Sequence, residues 1–207
     1  KFYDGEDVYL PEQKKTMYSN QYIVLRATED SQKTAICRFI SYSTPLKKVY
    51  TYKDIWGLSA KNKEQKYAMD LLFNKDIHIV SLTGQAGTGK TLLAAACGLE
   101  QVLNNTKSGG GYDKLIITRP VQPMGRDIGF LPGTLEEKMM PWIAPLRDNL
   151  EYLFGDKTAL EMHMEQGIVE IEAMTYIRGR SISNAFLIVD EAQNLTTHEL
   201  KTIITRV

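Results

Sequence analysis

The chain has 207 residues, 43% of them apolar, which suits one ordinary domain with a small appendage and leaves enough apolar mass for a packed core. Lys+Arg and Asp+Glu number 25 each, so the net charge is zero and bulk charge cannot hold a polyanion; any such contact must be local. The longest apolar run, Leu92 to Leu99, is far shorter than the roughly 20 residues of a membrane span, and the polar start has no signal-peptide form. A soluble cytoplasmic protein with no membrane partner is therefore expected. Cys37 and Cys97 have neither a disulfide framework nor a metal-ligand spacing, and His78, His163 and His198 stand apart, so both thiols are expected to be buried. The chain opens on Lys1 rather than Met and closes on Val207 within a helix signal, which reads as a piece of a longer protein.

In chain order, residues 1 to 55 hold Tyr3, Tyr9, Tyr18, Tyr22, Tyr42, Tyr50 and Tyr52 and read as a small β-rich module. Its strand candidates are Gln21 to Ala27, Thr34 to Tyr42 and Lys47 to Tyr52, separated by a turn-like Thr28 to Ser31 and by Pro45. Tyrosines near Arg26, Arg38, Lys47 and Lys48 could stack on a single-stranded nucleic acid. Strand aromatics more commonly serve packing, and that reading is preferred.

From residue 56 to 207 helix and strand signals alternate, the pattern of an α/β fold with a mostly parallel sheet flanked by helices. Strands are expected at Ile77 to Leu82, Lys114 to Thr118, Ile168 to Glu172 and Ala185 to Val189; all but the third are nearly continuous apolar runs, as in strands covered on both faces. Helices are expected after Asn62, Gly89, Thr134, Thr158 and Thr196, the last three with capping boxes to Glu137, Glu161 and Glu199.

Gly84-Gln85-Ala86-Gly87-Thr88-Gly89-Lys90-Thr91 fits G-x-x-x-x-G-K-[ST] in full, between an apolar run and a helix pattern. Such glycines let backbone N–H groups turn inward around a phosphate, and the helix N-terminus adds its positive dipole end. Lys90 is expected to reach the β- and γ-phosphates of ATP, and the Thr91 hydroxyl to ligate Mg²⁺. Phe186 to Val189 is an apolar strand ending in two acids. Asp190 is then a second Mg²⁺ ligand and Glu191 the candidate general base for an attacking water. A strand ending in acids is common in any α/β protein, but together with the phosphate loop upstream it supplies the other half of one metal-nucleotide site. Asn62 with Gln65 reads equally as a helix N-cap with its reciprocal partner and as an amide offered to an adenine edge.

Gln65, the GQAGTGKT segment, Thr118-Arg119-Pro120, Gly129-Phe130-Leu131-Pro132-Gly133, Arg178-Gly179-Arg180 and Asp190-Glu191-Ala192-Gln193-Asn194 occur in this order. That series resembles the PhoH family of P-loop ATPases, which are similar to the nucleotide-binding core of superfamily 1 helicases. The resemblance runs from about Trp56 to the C-terminus. Residues 1 to 55 resemble, more loosely, the connecting module of the branch in which a PIN nuclease domain precedes the PhoH domain. It implies a P-loop NTPase that hydrolyses ATP, coupled to single-stranded RNA and serving an upstream PIN ribonuclease domain. A nucleotide-gated binding or assembly module that does not translocate is the alternative. It also favours the adenine role for Gln65 and gives Gln193 a part in linking the γ-phosphate to the nucleic-acid side.

Arg119 closes a strand at the edge where open α/β sheets place ligands, and it opens a long loop rich in Pro and Gly. In helicase-like relatives the corresponding loop touches the nucleic-acid backbone, so Arg119 and Arg126 are candidate phosphate contacts; solvated arginines on a structural loop are the plain alternative. Arg178 and Arg180 suit either a brace for their own loop or, in a homo-oligomer, an arginine finger for the neighbouring subunit. The chain stops before the Gly-Asp-x-x-Gln segment with which such ATPases sense the γ-phosphate, so the core reads as truncated at its C-terminus.

Overall fold

The computed structural model describes residues 2, 5–12, 16–28, 32–104, 111–120, 135–174 and 182–205, with the side chains of 135–174 described from residue 140. Two units emerge, Lys1–Lys53 with Ala60–Asn74, and Asp54–Ser59 with Lys75–Val207.

The first unit is an antiparallel meander of β1 (Tyr22–Arg26), β2 (Thr34–Arg38) and β3 (Lys47–Lys48), in the order β1-β2-β3. Alternation along β2 turns Ala35 and Cys37 into a small core with Phe39 and Leu46, against which Ile23, Leu25 and Tyr42 pack. The second and third strands are shorter than their sequence runs suggest. After β2 the chain turns at Ser41–Thr44, where the Ser41 N–H donates to Thr44 Oγ1 (3.0 Å) and the Thr44 N–H to the Ser41 carbonyl (3.3 Å). Hydroxyl side chains thus take backbone partners that a longer ladder would need.

Helix α1 (Lys63–Leu72) belongs to this unit and is capped by Asn62, whose Oδ1 accepts the Gln65 N–H at 2.8 Å. A polar network attaches it to the sheet. The Tyr22 ring stacks on Tyr67 at 4.1 Å, and its hydroxyl lies 2.8 Å from Asp70 Oδ2 and 3.0 Å from the Tyr67 carbonyl oxygen. Arg38 brings Nε to within 3.0 Å of Asp70 Oδ2 and donates from Nη1 to Asn20 Oδ1 at 2.9 Å.

In the second unit β4 (Lys114–Arg119) is the centre of a parallel sheet in the order β5-β4-β6, with β5 (Val169–Ala173) and β6 (Ala185–Val189) on either side. Leu115 to Thr118 are buried, as a strand with two neighbours and two covered faces requires. Helices α2 (Lys90–Leu99) and α3 (Leu135–Phe154) pack on this sheet, followed by α4 (Lys157–Glu165) and α5 (Thr197–Ile204); a π-helical turn, Glu100–Asn104, extends α2. Gly98 lets α2 approach closely. A Cβ there would stand 2.8 Å from both Leu115 Cδ1 and Phe186 Cδ1.

Two expectations need correction. Ile77 to Leu82 forms no strand, and Ile79 is 63% exposed. An apolar run supplies side chains for a sheet, but its ladder hydrogen bonds must come from a neighbouring strand, and this run pairs with neither of the edge strands, β5 or β6. The cap of α4 is Asp156, whose Oδ1 accepts the Thr158 N–H at 2.9 Å, and not a Thr158–Glu161 box. Glu161 is drawn instead to Arg147 Nη2 at 2.8 Å. The Thr196–Glu199 box is formed, and the one expected at Thr134 and Glu137 lies outside the described side chains. Both cysteines are buried and free, and burial pushes their thiols up to about 11 at Cys37 and about 12 at Cys97, the latter helped by Glu100. Among the described residues no helix is long and apolar enough to cross a membrane.

Candidate nucleotide site

The site begins with a helix that has no side-chain cap. Gly89, the N-cap of α2, takes φ +79°, and Gly87 takes φ +75°, both in the left-handed region that glycine enters without steric cost. No side chain occupies the first-turn N–H groups of α2, so they face outward as an anion-binding terminus. Gly84, Gln85, Ala86 and Thr88 complete the loop; the Thr88 hydroxyl donates to the Gln85 carbonyl at 2.8 Å and braces its bend. Lys90 folds back over it, its Nζ donating to the carbonyls of Gly84 (2.9 Å) and Gln85 (2.8 Å). The ammonium is therefore held over the loop by two neutral acceptors that phosphate oxygens could replace at greater electrostatic gain.

The parallel sheet then brings the acids in. Because β4 and β6 run the same way with Thr118 opposite Val189, their next residues, Arg119 and Asp190, leave the same sheet edge side by side. The Asp190 N–H donates to the Thr118 carbonyl at 2.8 Å, which extends the ladder by one bond and fixes the carboxylate's origin. Thr91 Oγ1 donates to Asp190 Oδ1 at 2.7 Å, joining the first turn of α2 to the end of β6. The two expected Mg²⁺ ligands thus meet. Hydroxyl and carboxylate oxygens are the hard donors Mg²⁺ takes, and one or two protein ligands are usual where phosphates and waters complete its octahedron, so the pair fits the ion.

Glu191 follows Asp190 with φ +51°, a left-handed conformation rare for a non-glycine residue. Its Oε2 accepts a hydrogen bond from Gln193 Nε2, and its Oε1 stands 3.6 Å from Arg119 Nη2. Arg119 Nε is 3.9 Å from Asp190 Oδ2. Sequence reasoning aimed Arg119 and Gln193 at nucleic acid and γ-phosphate and did not anticipate that both would touch Glu191. The available signal was register: residues after paired positions of adjacent parallel strands emerge together.

Gln65 lies in the other unit, where its Oε1 accepts the Lys61 N–H at 2.7 Å and its own N–H is capped by Asn62. The cap interaction is present, one residue displaced from a strict box. Arg126, Arg178, Arg180 and the Gly129–Gly133 segment lie outside the described residues.

A family model described as PhoH-like protein matches residues 57–207. Protein PhoH2 of Bacillus subtilis is 44% identical over all of this chain and 47% of its own length. Protein PhoH2 of Mycolicibacterium smegmatis is 41% identical over 74% of this chain and 34% of itself. A PhoH-like protein of Synechocystis is 46% identical over 59% of this chain and 36% of itself. The chain spans about half, or less, of the length of these relatives.

Proposed function

The chain belongs to the PhoH family of P-loop nucleotide-binding proteins, and from that premise we propose that it binds Mg²⁺-ATP and hydrolyses it in response to single-stranded RNA. The observation that carries this reading is the 2.7 Å bond between Thr91 Oγ1 and Asp190 Oδ1, with Glu191 next in the chain, since it unites phosphate loop, metal ligands and a second carboxylate. The loop amides and Lys90 bind the triphosphate, with Lys90 exchanging its two backbone carbonyls for β- and γ-phosphate oxygens. Thr91 and Asp190 would hold Mg²⁺, which neutralises charge developing on the phosphates. Glu191 accepts the proton of the attacking water. Gln65 reads adenine with the amide of its side chain, a role for which donor and acceptor on one group are suited.

In this reading Arg119 and Arg126 take RNA phosphates, Gln193 relates the γ-phosphate side to the RNA side, and the activity serves a PIN ribonuclease domain upstream. Arg178 or Arg180 would reach a neighbouring subunit in a homo-oligomer. The test is phosphate release by the full-length protein with and without single-stranded RNA. RNA should accelerate turnover, and Lys90→Ala and Glu191→Gln should each remove it, with ATP still bound by Glu191→Gln. If RNA leaves the rate flat and Glu191→Gln changes nothing, the coupled ATPase is wrong and a nucleotide-gated module takes its place.

A further inference from the structure

We infer that Arg119 restrains Glu191, and that RNA phosphate relieves the restraint by competing for the same guanidinium. This rests on the proposed roles of Glu191 and RNA. In this structure both carboxylate oxygens of Glu191 are engaged, Oε2 by Gln193 and Oε1 by Arg119, while Arg119 also leans on Asp190. A carboxylate whose lone pairs face an amide donor and a guanidinium is poorly placed to receive a proton from water. The arginine contacts are loose. At 3.6 and 3.9 Å they exceed the 2.7–2.9 Å of charge-assisted bonds, and the side chains of Arg119 and Glu191 are 27% and 38% exposed. A half-exposed pair of that kind is worth little in water, so a phosphate diester, which also suits the guanidinium fork, can draw it away. The position of Arg119 at the carboxyl end of the central strand puts the exchange at the sheet edge where ligands bind.

Competition is reciprocal, since whatever RNA does to Glu191 through Arg119, Glu191 does to RNA. Without nucleotide, Glu191→Gln should therefore tighten binding of a labelled single-stranded RNA about two- to fivefold, the scale of an exposed ion pair. In an Arg119→Gln background the same change should leave RNA affinity where it was, which separates competition from a general loss of negative charge. Basal turnover without RNA should rise by a similar factor in Arg119→Gln, and added salt should raise the wild-type basal rate by screening the pair.

A fall in basal turnover in Arg119→Gln with ATP affinity unchanged overturns the inference, because Arg119 would then assist the reaction. So does equal tightening by Glu191→Gln in both backgrounds. If RNA fails to stimulate the wild type while Arg119→Gln still releases basal turnover, the restraint stands and the RNA reading falls. If RNA stimulates wild type and Arg119→Gln alike from the same low rate, the reverse holds. Should Arg119→Gln not fold, the salt response of the wild-type basal rate and the RNA affinity of Glu191→Gln still decide.

Discussion

Each unit contains an arginine beside an aspartate, and the two pairs differ in almost every respect. Arg38 meets Asp70 at 3.0 Å with side chains 11% and 8% exposed, and Asn20 and the Tyr22 hydroxyl bind the same two groups. Arg119 stands 3.9 Å from Asp190 and 3.6 Å from Glu191, its guanidinium divided between two acids and open to water. The first arrangement is close and buried, with further partners on both groups; the second leaves room for another partner. Buried charges tolerate little rearrangement, because each lost contact leaves an ion in low dielectric, whereas half-exposed ions can exchange partners at small cost. Shape-holding and switching thus call for opposite versions of the same chemistry.

The largest expected effect breaks this comparison if it fails. Asp70→Asn leaves the Arg38 charge buried without its counter-ion and should lower the stability of the first unit by about 3–5 kcal/mol. Arg119→Gln should cost under about 1 kcal/mol. Urea unfolding of the two variants measures both, and equal losses would mean that burial does not distinguish the pairs. Replacing both partners, as in Arg38→Met with Asp70→Leu, should recover most of the stability, since no ion is then stranded.

Much of this was legible in the sequence, for reasons that also explain what was not. The phosphate loop, the apolar run of β4 and the acids after β6 are local patterns, and each stands where its residues imply. The run from Ile77 to Leu82 looked as strand-like as β6, yet strand formation depends on a neighbour that no window of sequence displays. Asp156 overrode a good capping box at Thr158 because Glu161 had a stronger partner fourteen residues upstream in Arg147. The meeting of Arg119 with Glu191 depends on the register of two strands far apart in the chain, which composition and spacing do not encode. Asp70, a charged residue amid the helical pattern of α1, gave no sign that Arg38 and Tyr22 would bury it.

The next effect follows from proton linkage. Burial, the hydrogen bond to Asp70 and the Asp70 charge all raise the Tyr22 hydroxyl well above its ordinary range, with Arg38 opposing them and Tyr67 adding a small push upward. An unfolded tyrosine titrates near about pH 10. The folded state keeps its proton beyond that point, so this contribution to stability is complete below about pH 10 and declines as the pH rises further, where the unfolded chain loses a proton the native one retains. Tyr22→Phe should cost about 1.5–3 kcal/mol near neutrality, the worth of a hydrogen bond to a charged group, and should flatten the alkaline decline. The rise at Cys37 acts in the same direction in this unit. Chemical unfolding at several pH values checks both, and an unchanged alkaline slope in Tyr22→Phe would remove Tyr22 from the network's account.

The smallest effect concerns how the second unit keeps its own helix on its sheet. Where α1 is attached through Tyr22, Arg38 and Asp70, α2 is attached by close approach at Gly98, between Leu115 of β4 and Phe186 of β6. Gly98→Ala gains about 1 kcal/mol of helix propensity and meets an overpacking cost of about 1–3 kcal/mol. Contact at 2.8 Å falls on the ends of side chains rather than on backbone, so part of it can relax, and a net loss of about 1 kcal/mol is expected. Thermal unfolding of Gly98→Ala, Leu115→Val and their combination makes the cause visible. Leu115→Val alone opens a small void, but combined with Gly98→Ala it removes one of the clashing methyls, so the pair should cost less than the sum of its members. Additive losses would mean that the helix simply moves outward, and that α2 depends on the closeness of Gly98 less than α1 depends on Asp70.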